Sequence, residues 1–372
     1  MFYTAGKILR EGRGTDLYDA RTQHAAQLEF TDNTDIRQGP LPYIHPPFEA
    51  LVFLPLTFFP YPTAFVLWSL VNLGMLLGVA LLLRRSLSSL RQLSTWELFL
   101  LCLAFFPVFA TFHQGQDALL LLLVLVMSFR ALSREAEFLA GCWLGFGMFK
   151  YHLILPLALL LVVWRGRRFL WGFLAVTFAV VAISLQIVGW HALRYPAFAL
   201  QVVSNPDFGG IPLRQLPNLM GLLMGWPLLE NLGWPMQALV LVFSGALLLQ
   251  VAGLRKHAEG AHVSGLFFAG TVISSILVGF STNTYDLSLL IVPLSLLADY
   301  CIRLSPSERS VKWGLILPVI PLLISPLWFY LWMGWERINL IAIFLLWWLF
   351  AIRKELLRTN VTEAIPIAAS SC

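Results

Sequence analysis

Four short polar segments interrupt an otherwise apolar chain: His45-Pro46-Pro47, His113-Gln114-Gly115-Gln116-Asp117, Lys150-Tyr151-His152 and Asn283-Thr284-Tyr285-Asp286. Together they offer a cation, several hydrogen-bond donors and carboxylates. That set suits an anionic leaving group, above all a phosphate, beside a group that takes up a proton. Lys150 is the strongest phosphate ligand, because an ionisable side chain between apolar runs is costly and marks function by default; snorkelling to an interface is its bland alternative. His152 is a second donor, with a satisfied interior His equally compatible. Asp117 and Asp286 each open an apolar run, so helix capping competes with a chemical role at both, which for Asp286 is to bind the acceptor or to orient Lys150. His113 and Gln116 complete the polar tip around Asp117, and His45 precedes a Pro pair that turns it toward the same side. Arg214 and Asn218 lie in a Pro-rich loop, where a solvated Arg is the plainer reading of the former. Asp16 and Asp19 are fallback proton acceptors, although Gly14-Thr15-Asp16 reads as a turn.

Other chemistry is excluded by what is missing. Cys102, Cys142, Cys301 and Cys372 have neither metal nor redox spacing. Asp16, Asp32 and Asp35 form an acidic patch without periodicity. No Gly-rich loop offers to cradle a nucleotide. The expectation is a reaction with no cofactor and no metal, and no nucleic-acid partner: the net charge of +5 is a matter of topology.

The elements that must position these residues are membrane spans. The chain is 58% hydrophobic and 12% charged, about half the charge usual for a soluble domain. Apolar runs long enough to cross a bilayer fall at 62–83, 96–112, 117–132, 169–189, 236–254, 263–281, 286–302 and 313–332, with a shorter run at 338–352, about nine spans in all. Every second break between them is basic. Arg84, Arg85, Arg91, Arg130, Arg134, Arg165, Arg167, Arg168, Arg255, Lys256, Arg303, Arg309, Lys312, Arg353, Lys354 and Arg358 make up 16 of the 25 Lys and Arg residues. Basic loops stay in the cytoplasm, so the polar segments named above belong to the opposite, extracytoplasmic face of a cell membrane.

The stretch 138–163 has basic flanks on both sides yet is too short for two full spans. It reads as a broken hairpin of two short helices meeting near Lys150, which requires protein or a wet cavity around its tip. Residues 48–60, interrupted by Pro55 and Pro60, read as an interfacial or re-entrant helix. The chain thus divides into an extracytoplasmic first loop (1–60), a transmembrane helical domain (61–358) with an outer loop at 190–235, and a disordered cytoplasmic tail (359–372). Residues 1–47 show no apolar run and read as polar and turn-rich.

These segments, in this order, resemble glycosyltransferase family 87. Phe2-Tyr3-Thr4-Ala5-Gly6-Lys7 with Asp16-Leu17-Tyr18-Asp19 is similar to the family's first outer loop, and Tyr43-Ile44-His45-Pro46-Pro47-Phe48 to its re-entrant segment. Gly115-Gln116-Asp117-Ala118-Leu119-Leu120, the hairpin from Gly141 to Lys150 and Tyr285-Asp286-Leu287 also fit. The resemblance implies an all-α, polytopic GT-C fold. It implies transfer of a sugar, with mannose the first candidate, from a polyprenyl-phosphate donor to a glycan or lipid-linked acceptor, with inversion. It also implies a catalytic Asp just ahead of the motif that here begins at Phe2. The catalytic residue is therefore unknown within this numbering. An upstream extension with one apolar span and an Asp-Phe pair is expected; unaided translocation of a short polar arm is the alternative. A transporter with broken helices, or a catalytically incomplete relative acting as a scaffold, are the competing functions.

Overall fold

The computed structural model describes residues 1–31, 41–195, 197–199, 213–225, 233–258, 263–304, 313–324, 327 and 340–363, the side chains at 192–194, 214 and 359–363 excepted. Asp32, Asp35, Arg309, Lys312, the parts 196, 200–212 and 226–232 of the loop 190–235, and the tail beyond 363 lie outside the described residues. Among the described residues all regular structure is helical.

The first 31 residues correct the expectation of an irregular loop. They form α1 (Phe2–Arg10) and α2 (Ala20–Phe30). α1 places Phe2, Ala5 and Ile8 on one buried face, against Phe53. It is too short to register as an apolar run, yet its i, i+3 spacing is that of a half-buried helix. The apolar stretch Pro47–Phe58 is a chain of short pieces containing α3 (Ala50–Phe53), not a span.

Seven helices follow in close succession: α4 (Tyr61–Ser86), α5 (Thr95–Leu103), α6 (Phe106–His113), α7 (Ala118–Leu132), α8 (Glu137–Phe146), α9 (Tyr151–Arg165) and α10 (Arg167–Val188). Further helices are Leu219–Met224, Trp234–Gly253, Ser264–Val278, Ile291–Arg303 and Ile341–Glu363. Five stretches are long and apolar enough to cross a membrane: 61–86, 137–165, 167–191, 234–257 and 284–303. α5 and α6 would make a sixth, but are bent by 71°. Pro107 explains the bend, since it has no N–H for the carbonyl four residues back and its ring crowds that turn. Ala118–Leu132 and Ser264–Val278 are shorter, at 15 residues each. The nine expected spans therefore exceed what the described residues show. Most of 324–340 lies outside them, so the run 313–332 is seen only as Trp313–Ile316 and Ile320–Leu323.

The stretch 137–165 is apolar enough for a single span, but it does not run straight. As one helix of 29 residues it would hold its ends about 43 Å apart. Instead Gly141 abuts the backbone of Phe169, and Gly172 abuts Phe138, so the start of α8 packs beside the start of α10, which follows the end of α9. Glu135 and Arg165 also face one cavity. The segment is a hairpin whose tip is the 3₁₀ turn Gly147–Lys150. Gly141, Gly145 and Gly172 allow the backbones of α8 and α10 to touch, because a Cβ at any of them would collide with the neighbouring helix.

Four of the sixteen basic residues come together in space. The ends of α4, α7 and α9 meet those of Trp234–Gly253 and Ile291–Arg303 around one cavity lined by Ser86, Ser133, Arg165, Arg255, Lys256 and Arg303. The starts of α7 and of the segment 284–303, and the hairpin tip, lie at the opposite end.

Candidate functional site

The site is assembled from five separate stretches of chain, each delivered by local structure. The α6–α7 turn is closed by Gly115 at φ +60°, a left-handed conformation that favours glycine. This turn leaves Asp117 at the start of α7 with its side chain free of any capping bond. The hairpin tip ends at Lys150, which begins α9. At 284–290 a 3₁₀ turn opens the last of the five long stretches; there the Asp286 carboxylate accepts from the Asn283 backbone N–H at 2.8 Å.

Lys150 joins these pieces. Its ammonium lies 2.8 Å from Asp117 Oδ1 and 2.5 Å from Asp286 Oδ1, with side-chain exposures of 2%, 0% and 1%. It also sits 4.7 Å from the centre of the Tyr285 ring. Asp286 thus does both things considered for it: it caps its own turn and it binds Lys150. Where the sequence suggested a phosphate as the lysine's partner, the chain itself supplies two carboxylates.

The fourth stretch is the segment 41–49. Gln27 bonds both ways to the Leu41 backbone, at 2.8 and 2.9 Å, and Gln23 Oε1 accepts from Tyr43 N at 2.8 Å. Tyr18 OH donates to the His45 carbonyl at 2.8 Å, and Tyr195 OH, from the fifth stretch, to that of Ile44 at 2.9 Å. The segment is therefore held from outside and needs no regular structure of its own. His45 Nδ1 lies 2.8 Å from Glu49 Oε2 and 3.6 Å from Asp117 Oδ2. Burial pushes the His45 imidazole down to about 4, so it is neutral at ordinary pH; Asp117 opposes the shift and Lys150 reinforces it.

Glu49 is the residue sequence reasoning missed. It is fully buried in an apolar stretch and also lies within reach of Tyr43 OH, at 3.4 Å. The signal was available: His45 and Glu49 are four apart across a Pro-Pro helix start. Ligand atoms of His45, Glu49 and Asp117 all lie within 4.8 Å of one another, so these three are the described residues able to hold a cation.

A cavity of about 270 Å³ opens onto His45, Gln116, Lys150, His152, Asn283 and Asp286. A second, of about 300 Å³ and walled by Phe53, Leu56, Phe65 and Trp68, shares Met1, Leu41, Gln114 and Gln116 with it. Gln116 Oε1 and His152 Nε2 are buried without hydrogen-bond partners. Each is a polar atom with bonding capacity left over beside the cavity.

The remaining candidates lie apart. His113 is exposed and stacks on Phe109 one turn back, with ring centres 5.8 Å apart. Asn218 is buried as the cap of Leu219–Met224, accepting from Gly221 N at 2.8 Å and donating to the Gly279 carbonyl. Asp19 caps α2 by accepting from Thr22 N at 2.8 Å, and Asp16 pairs with Arg13 at 3.5 Å. The Arg214 side chain is outside the description; its neighbours Leu213 and Leu216 line the cavity.

With this geometry in hand, the comparisons are specific. The model of glycosyltransferase family 87 matches residues 43–279, a range that includes His45, Glu49, Asp117 and Lys150 and stops short of Asp286. The chain is 30% identical, over 200 residues, to the polyprenol-phosphate-mannose-dependent alpha-(1-2)-phosphatidylinositol pentamannoside mannosyltransferase of Mycolicibacterium smegmatis. That match covers 52% of this chain and 44% of the relative, so the chain spans less than half the length of the curated protein it resembles. No solved structure matches.

Proposed function

This chain belongs to glycosyltransferase family 87, and from that premise we propose that it is a membrane glycosyltransferase that transfers a hexose, with mannose the first candidate, from a polyprenyl-phosphate donor to a hydroxyl of a glycan or lipid-linked acceptor. The single observation that supports the reading most is the buried Lys150–Asp117–Asp286 cluster beside a polar cavity that adjoins an apolar one. The polar cavity is where the phosphosugar sits and the apolar one takes the first isoprene units. The reacting face is the extracytoplasmic side of the cell membrane, because the opposite helix ends hold the Arg and Lys that are retained in the cytoplasm.

The chemistry is an inverting displacement. The acceptor oxygen bonds to the sugar C1, the bond from C1 to the phosphate oxygen breaks, and polyprenyl phosphate leaves with the electron pair. The acceptor proton must go to a base. Among the described residues facing the cavity, we assign this role to His45, whose Nδ1 lies 2.8 Å from Glu49 Oε2, so that Nε2 is the nitrogen left for the acceptor proton. Lys150 spends two of its three N–H bonds on Asp117 and Asp286. The third, with His152 and Gln116, is available to the leaving phosphate as charge develops there. A relative whose name states polyprenol-phosphate-mannose dependence supports the donor class.

The test uses the full chain in proteoliposomes with radiolabelled polyprenyl-phosphate mannose or GDP-mannose and a membrane glycolipid extract as acceptor. Label should enter glycolipid from the lipid-linked donor alone. Transfer from GDP-mannose at an equal rate would refute the donor assignment.

A further inference from the structure

A third cavity, of about 710 Å³, lies at the other end of the helices from Lys150. Four cations face it, Arg165, Arg255, Lys256 and Arg303, against two carboxylates, Glu135 and Asp299. Asp299 is committed already: one oxygen accepts from Ser89 N at 3.0 Å and the other pairs with Arg303 at 2.7 Å. Among the described residues Arg165, Arg255 and Lys256 have no carboxylate within 4.0 Å. The Arg165 guanidinium lies 3.6 Å over the Trp164 ring, and its Nε is buried with no hydrogen-bond partner. The apolar part of the lining is formed by Leu87, Phe129, Leu132 and Leu296.

Part of this has a plainer explanation. Cations in the last turn of a helix offset its partial negative charge, and basic ends orient a membrane protein. Both effects act on exposed side chains. Neither requires a cavity, and neither satisfies the buried donor of Arg165.

We propose that this cavity is a binding site for the phosphate headgroup of an anionic phospholipid from the basic-side leaflet. Arg165, held flat by Trp164, presents its planar donors to phosphate oxygens. Arg255 and Lys256 add charge at the rim, and the acyl chains run over the Leu87–Phe129 wall toward the bilayer. Basic pockets between the ends of membrane helices bind such headgroups. The site is separate from the transfer site and does not rest on the transferase reading.

The experiment is thermal unfolding of the full chain in a zwitterionic detergent, with native mass spectrometry to count retained lipid. The probes are phosphatidylglycerol, phosphatidylcholine and inorganic phosphate. Phosphatidylglycerol should raise the midpoint by several degrees and remain bound as one or two molecules, while the other two have little effect. Arg255→Gln/Lys256→Gln should weaken the phosphatidylglycerol response at least tenfold in concentration, and Arg165→Gln at least as much. If Arg165→Gln does not fold, the Arg255/Lys256 variant, whose side chains are exposed, decides alone. An equal shift from phosphatidylcholine would mean general lipid solvation. A full shift from inorganic phosphate would mean a free-anion site. An unchanged response in the Arg255/Lys256 variant would remove the site. Each of these three results overturns the proposal.

Discussion

The two ends of one helix bundle treat charge in opposite ways. At the hairpin tip, Lys150, Asp117 and Asp286 are almost completely enclosed, and each ion contacts another. At the hairpin base, Arg255 and Lys256 are exposed and unpaired among the described residues. Position explains the difference. A charge taken out of water must find a partner, and a pair is costly to break once buried. A charge left at the interface is solvated and serves orientation. It follows that substitutions at the tip should be severe and specific, whereas single substitutions at the rim of the base should be mild.

The largest effect on stability is expected for Lys150→Met. It strands two buried carboxylates and should cost on the order of 3–5 kcal/mol, read as a loss of folded protein in detergent. Adding Asp286→Asn should recover a good part of that loss. If the single variant is as stable as the parent, the tip is not the closed ion cluster described. Next comes the hairpin itself. Gly172→Leu puts a side chain where α8 and α10 touch, and overpacking of this kind costs roughly 1–3 kcal/mol or more. A fully stable Gly172→Leu protein would argue for a straight 137–165 helix, with its ends on opposite faces.

A pH effect sharpens the comparison further. The His45 imidazole is held at about 4 in the folded protein, below its ordinary 6.5. The unfolded chain therefore binds more protons between those values, and stability is complete above pH 6.5 and declines as pH falls toward 4. For this one group the loss is about 2 kcal/mol at pH 5. His45→Gln should flatten the decline between pH 7 and pH 5, whereas an equally steep curve would mean that other groups dominate. The smallest effect is expected at Asn218. As a helix cap, its replacement by Ala should cost about 1 kcal/mol and leave transfer within about twofold. A large loss of transfer without loss of stability would return Asn218 to the site.

Much of this arrangement was legible in the sequence because it rests on strong, local or additive signals. Apolar runs and the alternation of basic breaks marked which residues share a face, and the 138–163 segment was too short for two spans yet basic at both ends. Lys150, Asp117 and Asp286 were each conspicuous as polar residues in apolar surroundings. What the sequence hid was partnership. Orientation of Lys150 by Asp286 was among the readings, but Asp117 and Asp286 are 169 residues apart and nothing local indicated that Asp117 shares the same lysine. Glu49 showed only its four-residue spacing from His45, because its role depends on a segment held by Gln23, Gln27, Tyr18 and Tyr195. His113 and Asn218 looked chemical by type and are placed by local geometry into a ring stack and a cap. The bend at α5–α6 was announced by Pro107, but a span of 17 residues at 96–112 still read as continuous.

The central claim is that the enclosed ion cluster, and not merely the fold, supports transfer from a lipid-linked sugar. The most direct test is the initial rate of transfer from polyprenyl-phosphate mannose by Lys150→Met/Asp286→Asn, compared with the parent at equal amounts of folded protein. In this pair the charge removed is balanced and one of the two stranded carboxylates is gone, and comparison at equal amounts of folded protein separates the lost cation from the cost of leaving Asp117 without its lysine. The rate should be at least a hundredfold lower, about 2.7 kcal/mol in the barrier, with Lys150→Arg retaining a measurable fraction. A double variant that transfers within a few-fold of the parent would contradict that claim.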